Sequence, residues 1–424
     1  MDSPENTRIS TAVVLNDYCH VQGGASRVAV DEAVALAARG LRVIFLGASG
    51  PVCDQLKNAP VEVVCLEQPE LLEVGKNPGV IVQGLYNRQA KRRMEEILRG
   101  CDPARTVVHL HGYTKALTTS PVRAAADMGF AVVCTLHDFY TACPNGAFFD
   151  FQKRAVCPKR GLSADCIATH CDKRRYAHKL FRVARGAAQR ALGHLPQAVK
   201  HYITLSDNSV RILRPYLPPE AQFYPLENIS EVEKAPPVDV AGKKAIVAVG
   251  RLDIEKGVED LLAAARQTGV PLVFVGDGPL RPLADAAPDC RVTGWVTPRQ
   301  VMAELEEARC LVFSSLWYET YGLVVAEAAA RGIPAIVSTV SAASERVRDG
   351  VEGWHVRAGD AGDLARCLML TRDDAAVRAA GLAAYARFWA NPPTRERHVD
   401  GLLAVYERIL ARGALPVQGA AHGG

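Results

Sequence analysis

The sequence predicts an α/β protein built as two doubly wound parallel-sheet domains that face each other across a cleft. Three observations lead there. The chain has 424 residues, more than one hydrophobic core usually fills. Short apolar strands alternate with amphipathic helical stretches, the pattern of βαβ units and a parallel sheet. That alternation then restarts after a polar, proline-bearing stretch at 229–244, which reads as an interdomain linker.

In the first series, residues 12–15 form a strand, a glycine turn follows, and a helix covers about 25–39 until Gly40 closes it. Strands follow at 41–46, 61–66, 107–111, 131–136 and 202–205, with helices near 85–99 and 118–128. The second series has strands at 245–249, 272–275, 291–293, 311–314 and 335–338, with helices at about 260–267 and 322–331. The expected domains are therefore 1–228 and 229–388, with a helix in 389–412 that folds back onto the first and a disordered, small-residue tail at 413–424. Such sheets bind ligands at the C-terminal ends of their strands, which here border the shared cleft.

Composition excludes several classes. Apolar residues make up 49% and the net charge is +4, too mild a balance to imply nucleic acid. The longest apolar runs are of strand length, far short of the roughly 20 residues that span a bilayer. The N-terminal segment carries Asp2 and Glu5 and lacks the basic start and apolar stretch of an export signal. A cytoplasmic address follows as the expectation, and with it reduced thiols, so the 12 cysteines do not read as a disulfide framework.

The chemistry concentrates in the second half. LVFSSLWYETYGLVVAEAAAR at 311–331 is a buried strand, a loop and a helix that starts near Tyr321, Gly322 and Leu323. The N-terminus of that helix offers unpaired N–H groups and a positive dipole end to a diphosphate. Glu319 precedes the helix, where it can accept bonds from sugar hydroxyls. Glu327 lies inside an otherwise apolar helix, where a carboxylate needs donors such as ribose hydroxyls. VAVGRLDIEKG at 247–257 runs a strand into Gly250, Arg251 and Lys256, two cations that suit a diphosphate. VGDGPL at 275–280 places Gly276 and Gly278 in a tight turn beside the same pocket. Bland readings stand beside these: Arg251 and Lys256 as solvated loop charges, Glu327 paired with Arg331, and Glu319 as a first-turn carboxylate.

Taken together these elements resemble glycosyltransferase family 4, retaining enzymes of the GT-B type, over about residues 11–405. Glu319 and Glu327 match the family's glutamates separated by seven residues, and Arg251 and Lys256 its diphosphate-binding Arg and Lys. The resemblance implies sugar transfer from a nucleotide sugar with retention, no divalent metal being required for catalysis, to a sugar or lipid-linked acceptor. A UDP-sugar is favoured and GDP-mannose stays open. The alternatives are a non-transferring GT-B enzyme such as a nucleotide-sugar epimerase and a non-catalytic nucleotide-sugar-binding protein.

In the first half, QGGASR puts Gly23 and Gly24 at the start of the first helix, as in family members. His109 and His111 end a strand. His111 matches a family histidine beside the transferred sugar, and His109 reads as structural. His137 and Asp138 end the next strand, in a segment similar to a family subgroup with an HD followed by Cys-Pro. Cys143, Cys157, Cys166 and Cys171 then fall within a polar, basic insertion at about 143–190. Structural zinc, free thiols and disulfides are all open for them. The basic stretch 173–190 reads either as an amphipathic helix at an anionic membrane surface or as a solvated face.

Overall fold

The structure, a computed structural model, describes residues 9–69 and 78–413. The expected tail at 414–424 therefore lies outside the described residues, whereas Gly413 ends the last helix. The first lobe holds strands β1 (Thr11–Tyr18), β2 (Arg42–Ser49), β3 (Val61–Cys65), β4 (Thr106–Leu110), β5 (Ala131–Thr135), the short β6 (Phe149–Asp150) and β7 (Ala155–Val156), then β8 (His201–Thr204) and β9 (Gln222–Pro225). Seven of these form one sheet in the order β3-β2-β1-β4-β5-β8-β9, every pair parallel. β6 and β7 make a separate antiparallel ribbon. The second lobe holds β10 (Ile246–Val249), β11 (Leu272–Val275), β12 (Cys290–Val292), β13 (Cys310–Phe313), β14 (Ala335–Ser338) and β15 (Gly353–Val356). They run parallel in the order β12-β11-β10-β13-β14-β15.

In both sheets the order reverses beside the first strand, the arrangement that opens a crevice at the strand C-termini. All eight residues of β1 are buried, as expected for a strand covered by helices on both faces. Sequence pattern missed several elements, among them the Pro298–Glu306 and Ala361–Leu370 helices, and three of the misses have a plain physical cause. β9 is a four-residue edge strand that ends in Pro225, a residue tolerated only at such an edge. β15, GWHV, is equally short. The Asp374–Ala390 helix is alanine-rich on all sides, so its apolar positions do not mark one face.

The last helix, Arg395–Gly413, packs Val399, Leu402, Tyr406, Ile409 and Leu410 into the first lobe's core, although it follows the second lobe in sequence. Further contacts join the lobes. The Glu345 carboxylate accepts the N–H groups of Asp207 and Asn208 at 3.0 and 2.6 Å. Thr320 Oγ1 donates to the His137 carbonyl at 3.1 Å. Phe149 and Ala147 of the cysteine-bearing insertion pack on Leu316, and Lys173 of the same insertion pairs with Asp253.

Gly276 shows how tightly the second lobe's loops are stacked. Its φ is 147°, and a Cβ there would lie 2.0 Å from the Gly250 carbonyl oxygen. Backbone bonds Gly250 N to Val275 O and Leu252 N to Asp277 O, both 3.0 Å, hold the two loops together. Gly276→Ala should therefore lower stability by roughly 2 kcal/mol or more. Urea unfolding measures this, and an unchanged midpoint would mean that the two loops are not stacked as described.

Candidate functional site

On the second lobe's side, β10 and β13 are neighbours, so the loops that follow them meet. Ser314 Oγ donates to the Lys256 carbonyl at 3.0 Å, docking the 250–257 loop against the end of β13. This brings Lys256 Nζ onto Glu319 Oε1. The same carboxylate oxygen accepts Ser315 Oγ at 3.0 Å and Trp317 Nε1 at 2.7 Å. Lys256 also stands 5.5 Å from the Trp317 ring centroid, a cation–π distance. Burial would raise the Glu319 pKa, but Lys256 and these two donors hold it below its ordinary value of 4.5. Arg251 is more open, its side chain 58% exposed, and its Nε lies 3.1 Å from Asp253. Neither cation is a free loop charge. Gly276 and Gly278 serve backbone-to-backbone packing against Gly250 and Leu252.

The Leu323–Ala330 helix begins at Gly322, whose φ of 89° lies in the left-handed region that favours glycine. No side chain caps this end, so the N–H groups there stay available to an anion. Tyr321 is anchored beneath: its hydroxyl donates to Asn228 O at 3.2 Å and the Arg346 guanidinium stacks 3.7 Å from its ring centroid. Glu327 faces the gap between the lobes without a hydrogen-bond or ion-pair partner among the described residues. Burial pushes its carboxyl up, while Arg27 of the first lobe pulls the other way. Arg331 is committed elsewhere, to Glu306 at 3.0 Å.

Across the gap, Gly23 is the N-cap of the Gly24–Ala38 helix. A Cβ on Gly23 or Gly24 would meet open space, leaving room for a ligand to approach the backbone. His111 and His137 sit at the ends of adjacent strands, with Nδ1 of the first 3.0 Å from Nε2 of the second. Burial depresses the His137 pKa to about 3, with His111 adding to the effect. The neighbouring Asp138 is raised to about 6, first by burial. His109 points into the core, between Tyr406 and Thr135, each 2.7 Å away.

Two carboxylates that sequence reasoning passed over organise this side. Asp17, at the end of β1, accepts the N–H groups of Thr114, Lys115, Ala116 and Leu117 at 2.6 to 2.9 Å. It thereby shapes the loop after His111. Glu32 lies inside the apolar first helix and is 1% exposed. Its signal was partly legible, since Asp31 and Glu32 are the two carboxylates of a helix made mostly of alanines and valines, but the sequence does not say which of the two faces inward. Asp17 gave only the weaker cue of an acid ending an apolar strand.

All 12 cysteines are free thiols. In the insertion, the fully buried Lys179 places Nζ 3.3 Å from Cys166 Sγ and 3.2 Å from Cys171 Sγ, while Cys143 Sγ donates to Asn145 Oδ1 at 3.0 Å. Among the described residues, one set of three metal-capable donors lies within 4.8 Å, Glu32, His109 and His111. Cys143, Cys157, Cys166 and Cys171 do not form such a set. The Tyr176–Ala191 helix turns Lys179, Arg185 and Gln189 inward and leaves Leu180 44% exposed. Its buried stripe is thus polar, because it answers buried thiols and a carbonyl of the 112–118 loop. No helix among the described residues is long and apolar enough to cross a membrane.

Residues 22–224 match the model of Glycosyltransferase Family 4, and residues 243–373 that of Glycosyl transferases group 1. Residues 22–224 are thus a glycosyltransferase family 4 domain and residues 243–373 a group 1 glycosyltransferase domain, and together they have the GT-B fold. It is 35% identical over 148 residues to the glycogen synthase of Mycobacterium tuberculosis, covering 32% of this chain and 36% of that one. It is 32% identical over 184 residues to the D-inositol 3-phosphate glycosyltransferase of Mycolicibacterium smegmatis, covering 40% and 41%. A GDP-mannose-dependent alpha-mannosyltransferase of Corynebacterium glutamicum is 33% identical over 117 residues, covering 27% and 28%. The matches thus span at most about two fifths of these relatives' own lengths. In three dimensions, the sucrose-phosphate synthase of Thermosynechococcus elongatus superposes with a TM-score of 0.68 at 18% identity, over 96% of this chain and 100% of that one. Anabaena HepE in complex with UDP and glucose gives 0.62 at 16%, over 94% and 100%.

Because the folded pKa of Glu319 is depressed, its stabilising contribution is complete above its ordinary value of 4.5 and is lost as pH falls through the lower folded value. Glu319→Gln should lose stability less steeply than the wild type below about pH 4.5. Thermal melts at pH 7, 5 and 3.5 would reveal it, and parallel curves would refute the pairing.

Proposed function

We propose that the protein is a retaining glycosyltransferase that moves a hexose-type sugar from a nucleotide sugar to a glycan, lipid-linked or small-molecule acceptor in cell-envelope or polysaccharide biosynthesis. The observation that carries this reading is the meeting of Lys256, Glu319, Arg251 and the uncapped Gly322 helix end at one edge of the second sheet. Without ligand, Lys256 and Glu319 neutralise each other. A diphosphate recruits Lys256 and Arg251, while the amides at Gly322 and Leu323 bind the charge that builds on the departing group. Freed from its cation, Glu319 accepts hydroxyls of the transferred sugar, and Glu327, still unpartnered, accepts those of the ribose.

Retention follows from same-face attack, in which the leaving phosphate helps deprotonate the acceptor. The chain's contribution is then positioning and charge stabilisation. A UDP-sugar is the favoured donor, supported by the UDP-bound structural neighbour, and GDP-mannose is the competitor, supported by the mannosyltransferase relative.

The first test is a thermal-shift panel with UDP, GDP, UDP-glucose and GDP-mannose. A donor at 100 times its Kd should stabilise the fold by about 2.7 kcal/mol. If no nucleotide or nucleotide sugar shifts the melting temperature, the reading fails. With the donor known, Lys256→Met should lower nucleotide release by about 100-fold or more, the scale of losing one preorganised charge-stabilising donor. Full turnover in that variant would remove Lys256 from the mechanism.

A further inference from the structure

The loop that carries Arg251 and Lys256 also carries their opposition. Its sequence, RLDIEK, sets Asp253 and Glu255 between the two cations, so its formal charges cancel. Both acids are buried, Asp253 at 1% exposure. Lys256 is engaged by Glu319 as well. A diphosphate that approached this loop alone would meet no net positive charge.

The missing cation comes from the other lobe. Lys173, in the cysteine-bearing insertion, donates to Asp253 Oδ2 and stands 3.6 Å from Glu255 Oε2. That Glu255 oxygen accepts no hydrogen bond among the described residues. Burial raises the Glu255 pKa, and Lys173 and Lys256 are the cations that oppose the rise. Arg251 Nε shares Asp253 Oδ2 as an ion pair at 3.1 Å, while the Ile254 N–H donates to Oδ1 at 2.9 Å. With Lys173 in place, the Asp253 charge is answered without Arg251, whose side chain stays open to solvent.

The insertion is built to hold Lys173 there. The carbonyl of Asp172 accepts Gln152 Nε2 at 2.8 Å, and its carboxylate accepts the Arg174 N–H at 3.0 Å and pairs with Arg182 at 3.2 Å. The Lys173 ammonium stands 5.7 Å from the Phe151 ring centroid, a cation–π distance. Arg154 of the same insertion pairs with Glu259, at the start of the helix that follows Lys256.

We propose that Lys173 is a positioning residue of the donor site, which neutralises Asp253 and Glu255 from across the lobes and so leaves Arg251 free for the donor's diphosphate. The proposal rests on the transfer reading above. Without Lys173, Asp253 is a buried carboxylate with Arg251 as its remaining ion-pair partner among the described residues. Leaving a buried charge unpaired is costly, so Asp253 then retains Arg251 against the diphosphate. A mere tie between the lobes would behave differently, because removing either member would break it equally.

Isothermal titration of UDP and of GDP into the full-length protein tests this. Lys173→Met should weaken the nucleotide that binds by about 10-fold or more, and Lys173→Arg should bind like the wild type. Adding Asp253→Asn to Lys173→Met should regain most of the loss, since asparagine keeps the acceptor for the Ile254 N–H and releases Arg251. Thermal melts without nucleotide check that each variant is folded. Should Lys173→Met alone not fold, the double variant is compared with Asp253→Asn, and the two should bind alike. Wild-type affinity in Lys173→Met would overturn the proposal, because Arg251 would then be free without Lys173. A double variant as weak as Lys173→Met, or weaker than Asp253→Asn by the full 10-fold, would also overturn it, leaving Lys173 as a tie between lobes or a direct ligand. A wild type that binds neither nucleotide would sink the transfer reading and this proposal with it, whereas a binding wild type with an unaffected Lys173→Met would sink this proposal alone.

Discussion

Every strand of the two large sheets runs parallel to its neighbours, and the site follows from that constraint. Parallel strands leave all their outgoing loops at one edge. In the second lobe the loops after β10 and β13 are adjacent because those strands pair at Ile246 and Cys310. Lys256 and Glu319, 63 residues apart in sequence, meet for this reason. In the first lobe β4 pairs with β5, and His111 and His137 meet beyond their ends in the same way. Neither pair needs a special device beyond strand order and direction.

Charge in dry surroundings is the second theme. Each buried ion of the site has an opposite charge or several hydrogen-bond donors: Glu319 has Lys256, Ser315 and Trp317, Asp17 has four backbone N–H groups, and Glu32 has His398. A buried carboxylate without such partners is costly. Glu327 departs from the rule. It lies in the gap where a ligand's hydroxyls would stand, and burial raises its pKa. Contrast with its satisfied neighbours, more than its spacing from Glu319, is what supports the proposal that it meets a ligand.

The lobes are also tied together at several points. The C-terminal helix completes the first lobe's core with Leu402 and Tyr406 and delivers His398 to Glu32. The cysteine-bearing insertion reaches the other way, setting Phe149 against Leu316 and Lys173 against Asp253. Asp253 is also the partner of Arg251. The insertion therefore touches the same acidic group that steadies a proposed diphosphate cation, which links its folding to the electrostatics of the donor loops.

By itself the sequence determined the two doubly wound halves and marked the loops that leave the ends of their strands. These depend on local signals: apolar strand runs, helical periodicity, and glycines and cations at strand ends. Glu319, Lys256 and Gly322 could be singled out because each sits at such a junction. Tertiary structure alone decided what each side chain faces. The partners of Glu32 come from residues up to 366 positions away, and Asp17 caps a loop about 100 residues downstream. The polar inward stripe of the Tyr176–Ala191 helix likewise depends on what packs against it, the Cys166 and Cys171 thiols. Periodicity records which face of an element is apolar. Hydrogen bonds and ion pairs between distant segments depend on how sheets and crossing helices are stacked, and no local pattern encodes that distance.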